Sequence, residues 1–200
     1  MSNFSGLASL AGVDLSAQGA SLNKVMGIIE SREFVKHLIT FDNVLPSLMA
    51  AQSYNANTRE IIFDDEIYNH ETKSWVRDAP ANRGVVPSYI EAHKEYSEMI
   101  SMTKDRLTGH VSLKVEHVSP IFAKEFLSLV INEANNVQRN IDVDSSTKAL
   151  LYLRDQLSKT PQVEIRDSIS KLIENQLETQ MTVSYTHLRA HETKANLVCR

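Results

Sequence analysis

The chain has 200 residues, of which 23% are charged, and a formal net charge of −4 at pH 7. This length is sufficient for one domain with a buried core, and the acidic balance argues against nucleic acid or an anionic membrane surface as the main partner. The start lacks the basic and apolar regions of a signal peptide, and no apolar run reaches the length of about 18 residues typical of a membrane span. The single cysteine does not distinguish an oxidising from a reducing compartment.

The first part of the chain predicts a lead-in followed by helix. Residues 1–20 are rich in Gly, Ala and Ser and predict a flexible lead-in. Ser21 is the predicted N-cap of a helical stretch in which apolar residues recur at three- and four-residue steps. Gly27 and the Asp42-Asn43 pair are the expected weak points or boundaries of this helical stretch, and Pro46 suits the first turn of a short helix.

The middle of the chain mixes strand and helix signals. Residues 59–64, REIIFD, predict a short strand, and a polar, turn-rich stretch around Trp75 follows. Helical periodicity resumes at Pro87. Apolar and polar residues then alternate over 111–116, after a turn at 107–109, which predicts a β-hairpin with one buried and one solvated face.

The remainder of the chain is predicted to be almost entirely helical. Ser119 is the expected N-cap and Pro120 the first helical residue. Thr160-Pro161 predicts either a kink or a fresh helix start. One continuous helix over 120–181 would be roughly 90 Å long at about 1.5 Å per residue, so its far portion is expected to project or to lie against other copies of the chain.

These elements predict an α+β fold with two parts. A small mixed α/β base would occupy 21–119 and a long, protruding helical arm 120–181.

The last residues contain the most metal-like pattern of the chain. His187 and His191 lie four residues apart, Glu192 follows, and Cys199 could complete a tetrahedral zinc shell. The glutamate follows the histidines and does not stand between them, unlike the zinc-protease pattern, and a polar terminus is the alternative.

A third interpretation of this tail is favoured. VSYTHLRAHET back-translates into a sequence that resembles the adapter of transposon-based sequencing libraries, and NLVCR resembles the flow-cell primer that follows it. We therefore assign 182–200 to an artefactual tail, with Thr182 ambiguous, and exclude it from fold prediction. Without Val183–Arg200, which hold three cations and one anion, the net charge moves from −4 to −6.

Other chemistry-bearing residues give no catalytic pattern. Asp142-Val143-Asp144 resembles a phosphotransferase D-x-D motif but lies in a helical region, where a solvated junction or cap is expected. His110 and His117 would be roughly 23 Å apart along a strand at about 3.3 Å per residue, too far to share a metal. The acidic run 64–66 suggests a solvated turn. The other histidines without a ligand pattern are His37, His70 and His93. We predict no enzyme activity, and no catalytic, cofactor-binding or metal residues.

The order of sequence blocks resembles a known family. The blocks are SGLASLAGVDL, IIESREFVKHLI with NVLPSLM, YSEMISMTKDRLTGHVSLKVEHVSPIFAKEFLSLVINEANN, and YLRDQLSKTPQVEIRDSISKLIENQLETQM. Over 5–181 they resemble the periplasmic domain of Wzz-type chain-length determinants, the polysaccharide co-polymerases of lipopolysaccharide O-antigen and related polymers. The most specific element is TGHVSLKVEHVSP running into an amphipathic helix.

The resemblance implies a regulator anchored in the bacterial inner membrane, with this domain in the periplasm. It would form a homo-oligomer beside a Wzy-type polymerase and bias how many repeat units are added, with the growing polysaccharide as a further partner. The two membrane spans, a first strand and a return segment are absent from this sequence, which we interpret as truncation at both ends. The fragment alone is therefore expected to assemble weakly.

Two alternatives stay open at the level of sequence. One is the periplasmic part of a tyrosine autokinase for capsule or exopolysaccharide export, which would carry a P-loop kinase domain after the second span. The other is an unrelated helical adaptor.

Overall fold

The computed structural model describes the backbone of residues 15–186 and the side chains of 22–178, 180 and 181. Runs of helices and of short antiparallel strands follow one another in this part of the chain, which confirms the predicted α+β class. The helices are α1 (Leu15–Ile29), α2 (Arg32–Leu38), α3 (Val44–Met49), α4 (Tyr89–Met99), α5 (Pro120–Lys159) and α6 (Val163–Thr186). The strands are β1 (Ala51–Asn55), β2 (Glu60–Phe63), β3 (Tyr68–Asn69), β4 (Ser74–Trp75), β5 (Ile100–Lys104) and β6 (Val111–Val115).

The N-terminal helices differ from the prediction in their boundaries. Helix α1 begins at Leu15, inside the predicted lead-in 1–20, and Ser21 lies within it. Alanine is the strongest helix former, so a stretch that contains Ala as well as Gly and Ser can still be helical. The next helix is capped by Ser31, whose Oγ accepts a hydrogen bond from Phe34 N at 3.2 Å. Gly27 is not a boundary.

Other boundaries follow the sequence signals. The backbone leaves helix between α2 and α3, where Asn43 adopts a left-handed φ of 62°, and Pro46 lies in the first turn of α3 as predicted. Ser119 caps α5 by accepting from Phe122 N at 3.2 Å, ahead of Pro120 as the first helical residue.

The strands form three separate antiparallel pairs in this part of the chain, β1 with β2, β3 with β4, and β5 with β6. The predicted strand 59–64 is β2, whereas its partner β1 was not predicted. The predicted hairpin is confirmed: β5 pairs with β6 from Ile100 opposite Val115 to Lys104 opposite Val111. Gly109, at φ 73°, supplies the left-handed residue of its turn.

The chain divides into two compact units, Met1–Ile131 and Asn132–Arg200. We call them the N-terminal and the C-terminal unit. The division lies inside α5. The reason is that the first turns of α5 contribute Ala123, Phe126 and Val130 to a buried core.

The core of the N-terminal unit joins α1, α2, α4 and the start of α5. Its centre is Tyr96, whose ring meets the ring of Phe126 edge-on with centroids 6.1 Å apart. Phe126 is also stacked on Phe122 at 5.2 Å. The buried residues around them include Phe34, Val35, Leu38, Val44, Ala92, Met99 and Val130.

The long helical arm is confirmed by α5, which has 40 residues, but a single helix over 120–181 does not form. Helix α5 ends at Lys159 and α6 begins at Val163. Proline disfavours helical backbone at the preceding residue, so the break follows from Pro161. If Thr160 were the N-cap, α6 would begin at Pro161. It begins two residues later, at Val163, because the carbonyl of Gln162 accepts the first helical hydrogen bond, from Arg166 N at 3.1 Å.

Candidate functional site

Helix α6 folds back along α5 within the C-terminal unit. Gln176 Nε2 donates to Ser146 Oγ at 2.9 Å, and Gln180 Nε2 lies 3.5 Å from Thr147 Oγ1. Residues 146 and 176 are almost equally far in sequence from Pro161, so the two helices run antiparallel. We call residues 132–159 of α5 together with 163–186 of α6 the helical hairpin.

The seam of the helical hairpin is narrow and partly polar. On α6 the half-buried positions are 169, 173, 176 and 180, which alternate four- and three-residue steps. This spacing is typical of helices packed side by side with a left-handed crossing. On α5, Ser146 is buried and accepts from Gln176 of α6, and Leu150, one helical turn later, is buried as well. Leu153 and Leu157 of α5 are also half-buried, so most apolar side chains of the seam are only partly covered.

Large apolar side chains lie on the outside of the helical hairpin. On α5 they include Leu151 and Tyr152, exposed by 62% and 64%, and on α6 Ile165 and Leu172, exposed by 46% and 54%. Ile165 and Leu172 are seven residues apart and share one face of α6. An exposed apolar face on a helix is typical of a surface that contacts another protein.

The D-x-D motif does not form a phosphotransferase site. Both aspartates lie within α5, so no buried strand precedes them. Asp142 Oδ1 accepts from Gln138 Nε2 at 2.8 Å, and Asp144 pairs with Lys148 one helical turn later at 2.6 Å. The motif is an ordinary set of contacts along one helix.

The histidines of the described region make structural contacts and lie in different places. His117 Nδ1 accepts from Ser119 N at 3.0 Å, so its Nε2 carries the proton and donates to Ser47 O at 3.0 Å. His93 Nε2 lies 3.0 Å from Glu30 O. The rings of His37 and His70 contact Phe41 and Phe63, and His110 lies in the loop of the β5–β6 hairpin.

The acidic run 64–66 forms the predicted turn. Asp64 Oδ1 accepts from Glu66 N at 2.9 Å, and its carbonyl accepts from Ile67 N and Tyr68 N. Among residues 15–186, no three His, Cys, Asp or Glu side chains are placed to hold a metal ion. His187, His191, Glu192 and Cys199 lie outside the described residues, while α6 includes the first five residues of the predicted tail, 182–186.

An ionic cluster in the N-terminal unit was missed by sequence reasoning. Arg77 donates to Glu91 Oε1, Gly84 O and Val85 O, all at 2.8–2.9 Å, and its side chain is only 13% exposed. Arg83 Nη1 reaches the same carboxylate at 3.3 Å. The loop 77–91 is therefore folded around one guanidinium group. Its sequence signal was the Ser88-x-x-Glu91 capping box at the start of α4.

The electrostatics of this cluster favour the ionised form of Glu91. The hydrogen bond from Arg77, followed by the backbone N–H of Ser88, lowers the pKa of Glu91 from 4.5 to about 2. In contrast, burial and the nearby charge of Glu30 raise the pKa of Tyr96 above its usual value. Tyr96 stays a neutral donor, and its hydroxyl donates to Ile29 O at 2.9 Å, which joins α4 to the end of α1.

Comparison with known proteins gives no match among family models, curated proteins or solved structures. None of the helices within residues 15–186 is both long and apolar enough to cross a membrane.

Proposed function

We propose that the chain belongs to a polysaccharide co-polymerase of the Wzz type, which regulates the chain length of O-antigen or a related surface polysaccharide. The polymer would be made by a Wzy-type polymerase in the inner membrane, and the chain would act beside it in the periplasm. It would form no glycosidic bond itself. Its effect would come from the shape of a homo-oligomer.

The observation that carries the proposal is the helical hairpin. A 40-residue helix followed by an antiparallel return helix buries little apolar surface of its own and leaves Leu151, Tyr152 and Leu172 exposed. Such faces are stabilised when neighbouring copies cover them. The ordered sequence blocks over 5–181, and the β5–β6 hairpin that leads into α5, support the same family.

The decisive experiment is complementation. A gene completed with its flanking membrane spans is expressed in a bacterial strain whose chain-length determinant is deleted, and its lipopolysaccharide is separated on a gel. We expect a restored modal O-polysaccharide length. A stochastic ladder, despite normal expression and membrane insertion, contradicts the proposal.

The coding sequence on either side separates the proposal from its alternatives. A proline-rich segment, one span and a stop codon after the arm favour the co-polymerase. A Walker-type kinase domain in that place favours the autokinase, and flanks without a span contradict both.

A further inference from the structure

A surface depression of about 710 Å³ lies beside α4 in the N-terminal unit. Its volume falls in the range of about 300–1,000 Å³ typical of sites for small molecules. Both signs of charge line it: Arg32, Arg83 and Lys94 on one hand, Glu95 and Glu98 on the other. None of these five residues belongs to the core.

The arrangement of this depression is fixed by Arg77, whose side chain is largely covered. Because Arg77 holds the carbonyls of Gly84 and Val85 together with the Glu91 carboxylate, the loop that carries Arg83 has a defined position. Glu91 therefore accepts a hydrogen bond from Arg77 of the loop and also takes part in the capping box at the start of α4. A site of this kind needs little reorganisation when a ligand arrives.

Arg83 is the residue best placed to meet a ligand. Its side chain is 55% exposed, and one hydrogen bond, the 3.3 Å contact with Glu91, engages it among the described residues. A guanidinium group has five N–H donors in a planar fork, so Arg83 can still bind a carboxylate. Arg32 lies on the same depression and makes no ion pair within the described residues.

The mixed lining selects a class of ligand. A carboxylate would accept hydrogen bonds from Arg83 and Arg32. Glu95 and Glu98 pair with Lys94 at 3.7 and 3.5 Å, and their carboxylates have further lone pairs to which hydroxyl groups of the ligand would donate. Ile90, which is 54% exposed on the same depression, offers apolar contact for the C–H face of a sugar ring. The arginine and lysine side chains of the lining, Arg32, Arg77, Arg83 and Lys94, outnumber its glutamates, which favours an acidic ligand over a neutral one. An apolar ligand would desolvate these charges without replacing their hydrogen bonds.

We propose that this depression binds an acidic sugar residue, a uronic acid, through Arg83 and Arg32. The inference deepens the proposed function and rests on it for the source of the sugar, a surface polysaccharide. The chain would then contact the polymer directly through its N-terminal unit.

The test uses the whole chain and a defined probe. A galacturonic acid trimer is titrated by calorimetry, with a galactose trimer as the neutral match. We expect saturable binding of the acidic trimer, at least fivefold tighter than binding of the neutral one. Arg83→Ala is expected to weaken the acidic trimer about tenfold, equivalent to about 1.4 kcal/mol.

Matched variants make the outcome decisive. Arg154→Ala, which removes an exposed arginine of α5, should leave the affinity unchanged, and Trp75 fluorescence verifies the fold of each variant. If Arg83→Ala does not fold, Arg32→Ala replaces it with the same expected direction. Absence of saturable binding, equal affinity for both trimers, or an unchanged affinity in the folded Arg83 variant overturns the inference.

The two proposals fail in different assays. A strain with a restored modal length whose protein does not bind the acidic trimer rejects only the sugar site. A strain that keeps a stochastic ladder, although the chain binds the trimer, rejects the proposed function.

Discussion

The two units of the chain are stabilised in different ways. In the N-terminal unit, helices and strand pairs surround aromatic residues, and the hydroxyl of Tyr96 is itself used to join two helices. In the described part of the C-terminal unit, Ala134 and Leu150 are the buried apolar residues, and the buried polar residues are Gln138 and Ser146. The N-terminal unit therefore has a buried apolar core, whereas in the described part of the C-terminal unit two helices meet along a narrow contact with few buried residues.

This difference in apolar burial indicates which unit is stabilised by its own core. Burial of apolar area is the main favourable contribution to folding, at about 25 cal/mol per Å². A two-helix seam gains little of it, so hydrogen bonds such as the one from Gln176 to Ser146 contribute more to the helical hairpin, whose outer face stays exposed in the single chain. In the proposed homo-oligomer, neighbouring copies would cover that face. The comparison can be tested because Trp75, the single tryptophan, reports on the N-terminal unit alone.

The largest effect is expected from Phe126→Ala. Phe126 is 1% exposed and contacts the rings of both Tyr96 and Phe122. Removal of a buried phenylalanine costs about 3–5 kcal/mol because a cavity remains. The urea midpoint measured by Trp75 fluorescence should fall sharply. A shift that matches the exposed-site variant Ile131→Ala would show that the core is not centred on this ring.

The next effect separates the two units. Leu150 is buried by the seam and its neighbour Leu151 is 62% exposed, so the pair offers a matched comparison. Leu150→Ala should destabilise the helical hairpin by about 2 kcal/mol. This value is at the lower end of the range for replacing a buried leucine by alanine, because few residues surround Leu150 in a contact between two helices. Helix loss should appear in far-UV circular dichroism and in amide exchange of α6.

Leu151→Ala is the control for this experiment, with an expected change within about 0.5 kcal/mol in the isolated chain. Trp75 fluorescence should be unaffected by either variant. If Trp75 responds to Leu150→Ala as strongly as the helix signal does, then the two units unfold together and the comparison fails.

A third effect concerns pH. The pKa of Glu91 is lowered to about 2 from 4.5, so its ionised form stabilises the folded state above pH 4.5. This stabilisation is expected to be lost progressively as the pH falls from about 4.5 towards 2, because the unfolded chain takes up the proton first.

The measurement is the urea midpoint of Trp75 fluorescence between pH 7 and 3. Glu91→Gln should be less stable than the wild type at pH 7, and its midpoint should depend less on pH below 4.5. Glu98→Gln, at an exposed position of the same helix, is the control and should follow the wild type. If the urea midpoint of Glu91→Gln depends on pH below 4.5 as steeply as that of the wild type, Glu91 does not provide the pH-dependent stabilisation.

The sequence predicted the elements with strong local signals. Alternation from Val111 to Val115 and the Ser119-Pro120 start of α5 depend on neighbouring residues, and both are confirmed. At Pro161 the sequence predicted a kink or a fresh helix start, but it did not predict that α6 folds back along α5. The direction of α6 depends on contacts between residues 30 positions apart, such as Ser146 and Gln176. Local periodicity does not contain that information.

The ionic cluster around Arg77 also depends on contacts between residues that are distant in sequence. Ser88 and Glu91 are three residues apart and form a recognisable capping box. Arg77 is 14 residues before Glu91, and its role follows from the path of an irregular loop. The depression beside α4 also needs Arg32 from another helix. Residues that meet through tertiary structure were thus not predictable from spacing in one sequence.

The smallest expected effect tests the start of α5, where the N-terminal unit provides the first turns of the long helix. Ser119→Ala removes the Oγ that accepts from Phe122 N and should cost about 1 kcal/mol, as is usual for a lost N-cap. Ser128→Ala is the matched control, because Ser128 is an exposed residue inside the same helix and alanine is the better helix former. It should be neutral or slightly stabilising. The Trp75 midpoint should therefore fall for the first variant only. Equal midpoints for both would mean that the tertiary contacts of Phe122 and Phe126, and not the cap, determine where α5 begins.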